Sequence, residues 1–362
     1  MNEDVLGAMP HQAAFWHPEG DALRCDLCPR RCVIKPGSTG FCGTRRNVQG
    51  TMFAINYGKV CVSAVDPIEK KPIFHFHPGS RIYSLGTFGC NLDCGNCQNF
   101  VLARSKEGES PCTFTSPEEV ASAAKEKGVA GVAWTFNEPT VWIEFIMDTA
   151  RLLRKQGMFS ILNTNGYIES WAAEDFYDLA DAANIDVKGF TESFYKSKCN
   201  GKLEPILEAC LIAKDAGVHV ELTNLLIPGL NDSAAEMKRL FDWVAQEMGE
   251  DTPMHLFRFM PYHRFSDLPE ESMEKMEEAY RIAKESGLRY IYFAGVRGHP
   301  KQNTYCPNCG QLLINRSSQE ATESTFVRQE KMSRFCPTYT QVQVHLQGGR
   351  CPKCAKKIPV VL

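Results

Sequence analysis

Sixteen of the 362 residues are cysteine, and most fall into three groups whose spacing suits metal. Cys90, Cys94 and Cys97 form a C-x3-C-x2-C run within FGCNLDCGNCQN. Three thiolates on one short loop can each hold one iron of a [4Fe–4S] cubane, and Gly95 eases the turn. The fourth iron then lacks a protein ligand, and an open position is what a catalytic metal needs. The competing reading is a structural zinc loop with a distant fourth ligand. Cys306-Pro-Asn-Cys309 and Cys351-Pro-Lys-Cys354 are two knuckles that together offer four thiolates to a tetrahedral ion. Zinc is the first choice and a rubredoxin-like iron the second. The role is structural, because no position stays open. Cys25-x2-Cys28-x3-Cys32-x9-Cys42 suits either zinc or a second iron–sulfur cluster, and spacing does not choose between them. The glycines at 37, 40 and 43 suit a loop that wraps a metal; a metal-free knot of reduced thiols is the bland alternative. Cys61, Cys112, Cys199, Cys210 and Cys336 stand apart and read as small buried or surface side chains.

Composition narrows the setting. Hydrophobic residues make up 43% and charged residues 23%, an ordinary globular balance. The net charge is -3 and no dense basic run occurs, so neither nucleic acid nor an acidic membrane surface is an expected partner. The acidic N-terminal stretch lacks the apolar core of a signal peptide, and no apolar run approaches the roughly 20 residues of a membrane span. The expected location is cytoplasmic, where clustered cysteines bind metal more readily than they form disulfides.

The elements that must position these groups follow from periodicity and caps. Residues 1–80 are a turn-rich, Cys-bearing region, with two short strands around a Tyr-Gly turn in 51–65. From 81 to about 300, strand-like and helix-like stretches alternate. SPEEVASAAKEKG (116–128) carries a Ser N-cap, a Pro at the first helical position, early acids and a closing Gly. Such alternation predicts parallel βα units, and six or seven of them fit a partial (β/α)6-type barrel within an α/β fold. Residues 301–362 form a small zinc-ribbon-like tail, with 316–333 read as a polar loop between its Cys pairs.

In a βα barrel the chemistry sits at the C-terminal ends of the strands. Asn137 and Glu138 follow the second predicted core strand; the carboxylate can accept from an ammonium or cap the next helix. Asn163 and Asn165 sit in the turn after the third. Asp186 and Lys188 end the fourth and point to the same side of it, so in a barrel lumen they need each other or a charged ligand. Arg258, Tyr262, His263 and Arg297 come at late strand ends. The arginines suit a carboxylate or phosphate, and Tyr262 or His263 could relay a proton. His75 and His77 alternate before the first core strand and read as packing near the cluster rather than as ligands.

The C-x3-C-x2-C loop at the end of the first core strand resembles the radical S-adenosylmethionine (SAM) superfamily. The resemblance implies that the open iron chelates the amino and carboxylate groups of SAM, and that reductive cleavage yields a 5′-deoxyadenosyl radical for hydrogen abstraction. It implies SAM contacts for Asn137 and Glu138, for Asn163 and Asn165, and for Asp186 and Lys188. It places Arg258, Tyr262, His263 and Arg297 on the catalytic side. LRCDLCPRRCVIKPGSTGFCGTR, PIEKKPIFHFHPGS and GTFGCNLDCGNCQN together resemble the radical SAM member of the AmmeMemoRadiSam system, with AMMECR-like and Memo-like proteins as implied companions. An electron donor is implied as well. The barrel also resembles activases of the pyruvate formate-lyase type, so a partner protein's glycine is the alternative substrate. A non-catalytic iron–sulfur or zinc binding protein is the reading from another class.

Overall fold

The computed structural model describes residues 11–296, 298–318 and 339–362. In chain order, β1 (Val62–Pro67) and β2 (Arg81–Gly86) precede the helices α1 (Phe100–Arg104) and α2 (Pro117–Glu126). Then come β3 (Gly131–Trp134), α3 (Ile143–Lys155), β4 (Phe159–Thr164), α4 (Ser170–Tyr177), β5 (Ala182–Asp186) and α5 (Glu204–Asp215). β6 (His219–Leu226), α6 (Ala234–Trp243), β7 (Met254–Arg258), α7 (Met273–Glu285) and β8 (Ile291–Ala294) complete the run.

These strands form one sheet in the order β8-β7-β6-β5-β4-β3-β2-β1. β2 to β8 are parallel, and β1 flanks β2 antiparallel. Neighbours in space are neighbours in sequence, and β8 does not pair with β1, so the expected partial barrel is open on one side. Strands such as β3 are buried at every position, as parallel strands covered on both faces must be. The caps act where they were read: Ser116 and Glu119 form a reciprocal capping box, with Pro117 opening α2.

The 51–65 stretch departs from a simple strand pair. It serves three sheets: Thr51–Ala54 in an N-terminal sheet, Lys59–Val60 paired with Thr113–Phe114, and β1 in the barrel. Because Val60 pairs antiparallel with Thr113, the next residues outward, Cys61 and Cys112, lie side by side, and they are disulfide-bonded. Two of the five cysteines read as isolated are therefore partners. Cys210 is buried within α5, as expected, and Cys336 lies outside the described residues.

The C-terminal strands Thr304–Tyr305, Leu312–Ser318 and Tyr339–Val344 form an antiparallel sheet. Arg316 to Ser318, expected to belong to the polar loop over 316–333, are instead strand; 319–333 lie outside the described residues. Arg316 explains this. Its buried guanidinium bonds the Phe74 carbonyl at 2.7 Å and the Gln302 carbonyl at 3.1 Å, and lies 4.1 Å from the Phe74 ring centre. Leu313, Ile314 and Ile358 share one apolar cluster with Phe74, Tyr290 and Tyr292 of the barrel side. Val361 donates to the His75 carbonyl and accepts from the His77 N–H, both at 2.8 Å. His75 and His77 thus do not pack near the cysteine triplet. His75 Nε2 lies 2.6 Å from the Tyr292 hydroxyl, and His77 stacks on Phe159, which opens β4 at the opposite end of the barrel. Among the described residues, no helix is long and apolar enough to cross a membrane.

Candidate active site

The crossover from β2 to α1 carries Cys90, Cys94 and Cys97 at the C-terminal ends of the parallel strands. Two glycines permit its course. Gly89 has φ +88°, and a Cβ there would meet the Cys42 carbonyl oxygen at 2.4 Å. A Cβ on Gly95 would meet the Phe265 ring at 2.3 Å.

The loop is held from every side. Arg104 of α1 donates to the carbonyls of Cys90 at 2.7 Å and Leu92 at 2.9 Å. Asn137, just past β3, donates to the Gly89 carbonyl at 2.9 Å and accepts from the Thr87 N–H at 3.1 Å. Asn165, just past β4, donates to Asn91 Oδ1 at 3.0 Å and sits 3.8 Å from the Cys90 sulfur. From the segment after β5, the carbonyls of Lys198 and Cys199 each accept from the loop at 2.9 Å, from Gly95 and Asp93 respectively. From the segment after β7, the Arg264 N–H donates to the Gly95 carbonyl at 3.0 Å.

The three thiols stand within electrostatic reach of one another. Burial, then the charges of Glu138 and Cys94, raise Cys90; burial and the Cys94 charge together bring Cys97 up to about 11. Such thiols need a metal to stay deprotonated. Cys94 differs: the Cys199 thiol hydrogen-bonded to it lowers its pKa against burial, and Lys188 acts in the same direction. A tetrahedral ion with bonds of about 2.3 Å separates its sulfurs by about 3.8 Å, whereas a cubane holds its thiolates about 6 Å apart. Among the described residues, only Cys306, Cys309, Cys351 and Cys354 gather their ligand atoms within 4.8 Å of one another. Their pairs stand at 3.5 Å (Cys306–Cys354) and 3.7 Å (Cys309–Cys351), which fits a single tetrahedral ion. The sulfurs of Cys90, Cys94 and Cys97 do not all gather within 4.8 Å of one another.

Glu138 is 2% exposed. Its Oε1 accepts from the Thr140 N–H at 2.9 Å, the Thr140 hydroxyl at 2.7 Å and the Thr164 hydroxyl at 2.6 Å. Its Oε2 accepts from the Asn165 N–H at 2.8 Å. Burial raises its pKa, and these donors oppose the rise. Glu138 thus ties the end of β3 to the end of β4. Asn163 accepts from the Thr135 hydroxyl at 3.2 Å. Asp186 and Lys188 form the expected ion pair on one side of their strand, and the Asp186 Oδ1 is buried without a hydrogen-bond partner. The ammonium of Lys188 lies near Cys94 and Cys199, and its pKa is raised, chiefly against burial, by Asp186 and then by these thiols.

The later strand ends contribute unequally. Arg258 donates to the Glu271 carbonyl at 2.6 Å and to Glu270 at 3.2 Å. His263 stacks on Phe100, which follows the cysteine loop, with ring centres 4.2 Å apart; Tyr262 lies 6.0 Å from the same ring. Arg297 lies outside the described residues. The residues that sequence reading passed over are Cys199, Arg104, Asn91 and Thr164. Only Thr164 had a local signal, as the first residue of the Thr-Asn-Gly turn.

Asn137→Ala removes a donor and an acceptor from the loop's base. Clusters in the variant should bleach about tenfold faster in air than in the parent, by analogy with other outer-shell losses. An unchanged bleaching rate, followed by visible absorption, would deny Asn137 this anchoring role.

A sequence profile described as the Radical SAM superfamily matches residues 84–244. A protein of Methanocaldococcus jannaschii, itself called uncharacterized, is 40% identical over 352 residues, covering 97% of this chain and 99% of that one. The pyruvate formate-lyase 1-activating enzyme of Escherichia coli K12 is 22% identical over 209 residues, covering 57% of this chain and 82% of the enzyme. The GTP 3′,8-cyclase of Peptoclostridium acidaminophilum is 25% identical over 246 residues, covering 62% and 74%. Residues 84–244 thus form a Radical SAM domain. Such a domain implies a [4Fe–4S] cluster and SAM, and the Cys90 triplet offers the donor set for such a cluster.

Proposed function

We propose that this protein is an enzyme that binds SAM at a cluster on Cys90, Cys94 and Cys97 and starts radical chemistry on a substrate. When bound, a reduced [4Fe–4S] cluster supplies the electron that cleaves SAM and delivers a 5′-deoxyadenosyl radical for hydrogen abstraction. The observation that carries the reading is the three-thiol loop at the strand ends with the unpartnered Asp186 oxygen close to Cys94. A buried acceptor without a donor is costly, and an ammonium or hydroxyl of SAM would satisfy it. Glu138 Oε2 accepts one bond and keeps capacity for another from the SAM amino group. Asn163, Asn165 and Lys188 border the same loop, while Asn137 holds its base. Arg258, Tyr262, His263 and Arg297 take the substrate side. The C-terminal thiols hold zinc in a structural role. The resemblance to the AmmeMemoRadiSam system supports AMMECR-like and Memo-like proteins as companions, and three cysteine groups spaced for metal support a cytoplasmic location.

The test is anaerobic reconstitution with iron and sulfide, reduction, and addition of SAM. Formation of 5′-deoxyadenosine together with methionine is the expected result. A reduced cluster whose electron paramagnetic resonance (EPR) spectrum ignores SAM, and which yields no nucleoside, overturns the proposal. Similarity to the pyruvate formate-lyase 1-activating enzyme favours a second reading, hydrogen abstraction from a glycine of a partner protein. A stable glycyl radical formed on an added partner, seen by EPR, would distinguish it from small-molecule chemistry.

A further inference from the structure

We propose that Cys25, Cys28, Cys32 and Cys42 hold a second [4Fe–4S] cluster, closed by four thiolates and seated against the loop that carries the first. The four side chains line one cavity between the N-terminal strands and the barrel. The thiols converge on that one cavity, and Cys42 and Cys32 act on Cys25 as all three others act on Cys28. Yet no three of them gather within 4.8 Å, as the C-terminal four do. A single zinc ion would demand sulfurs about 3.8 Å apart, and a cubane about 6 Å apart. The wider spacing therefore favours the cluster over zinc.

Arg45 argues against a metal-free knot. It lines the same cavity at 1% exposure, and Glu144 accepts from its Nη1. Its Nε and Nη2 are buried with no hydrogen-bond partner. Two of the three nitrogens of a buried guanidinium thus lack an acceptor, which is costly. Neutral thiols are weak acceptors, whereas a thiolate-ligated cluster is an anion with sulfur acceptors on its surface. The charges of Cys25 and Cys42 already bear on Arg45.

The cavity also has a telling neighbour. Asn91, one residue beyond Cys90, forms part of its wall. Arg30, from the same wall, donates to the Asn91 carbonyl. The Cys42 carbonyl presses on Gly89, one residue before Cys90. A cluster with all four irons ligated has no open position for substrate, so its role here is to carry charge. It would take one electron from a low-potential one-electron donor protein and pass the same electron to the first cluster, with no bond made or broken.

The experiment counts metal on the whole chain and does not depend on SAM. In the variant Cys90→Ala/Cys94→Ala/Cys97→Ala, reconstituted without air, about four irons and four sulfides should remain, with the EPR signal of a reduced [4Fe–4S] centre. The parent should hold about eight irons, and Cys28→Ser/Cys32→Ser about four. The triple variant leaves the N-terminal thiols intact, so its result stands even if the double variant folds poorly. A triple variant without iron, whether carrying a second zinc beyond the C-terminal one or no second metal at all, overturns the proposal. Failure of SAM cleavage with eight irons present would instead count against the proposed function alone.

Discussion

Cys94→Ala should abolish 5′-deoxyadenosine formation to background and remove about four irons per chain. With two thiolates left, the cubane loses one of its three protein ligands. The informative partner is Cys199→Ala. The Cys199 thiol acts on Cys94 and lowers its pKa, while the C-x3-C-x2-C loop by itself supplies the three thiolates of the cluster. Loss of Cys199 should therefore leave the iron in place and cost activity by about 10- to 100-fold at most, with a shifted EPR spectrum. Iron analysis and nucleoside assays on both variants check this. If Cys199→Ala sheds its iron as Cys94→Ala does, Cys199 is a ligand and the site has no open iron for SAM.

The second large effect falls at the other end of the molecule. Cys351→Ser removes a buried ligand from the C-terminal site, whose pairs already stand at the separations of a tetrahedral ion. In small domains a structural zinc contributes much of the folding free energy. Here the loss is transmitted, because Ile358 and Leu313 share a core with Phe74 and Tyr292, and Val361 pairs with the backbone of His75 and His77. The melting temperature should fall by about 5 °C or more. Zinc content should fall by about one per chain. Protease cuts should appear within 301–362. A parent protein that contains no metal at this site, or a variant that melts with the parent, would refute a structural ion there.

What was legible in the sequence was local. Helix caps at Ser116, apolar runs such as that of β3, and the regular spacing of turns announced the βα alternation, because caps and periodicity act within a few residues. The placement of Glu138, Asn165 and Asp186 at strand ends followed from the same count. What they touch did not. Asn137 bonds backbone nearly fifty residues earlier, and Glu138 takes its donors partly from the next strand. The pairing of Cys61 with Cys112 depends on a two-residue ladder that no periodicity reveals. The histidines at 75 and 77 were misplaced for a related reason. They lie close in sequence to the triplet, but β2 runs between them and carries it to the other end of the barrel. Four cysteines also look alike as text whether they hold one ion or four; only the distances between sulfurs separate the cases.

The holding of the cysteine loop has a consequence for how the protein is made. Its anchors come from residues 104, 137, 165, 198–199 and 264, in that order along the chain. A ribosome that has just released Cys97 has made none of them. The triplet reaches its final spacing only after the segment beyond β7 has been synthesised and docked, so iron delivered to the nascent chain would find flexible thiols instead of a site. Cluster insertion belongs to the finished barrel, and a chain stalled or truncated before Arg264 should emerge without its cluster even though all three cysteines are present.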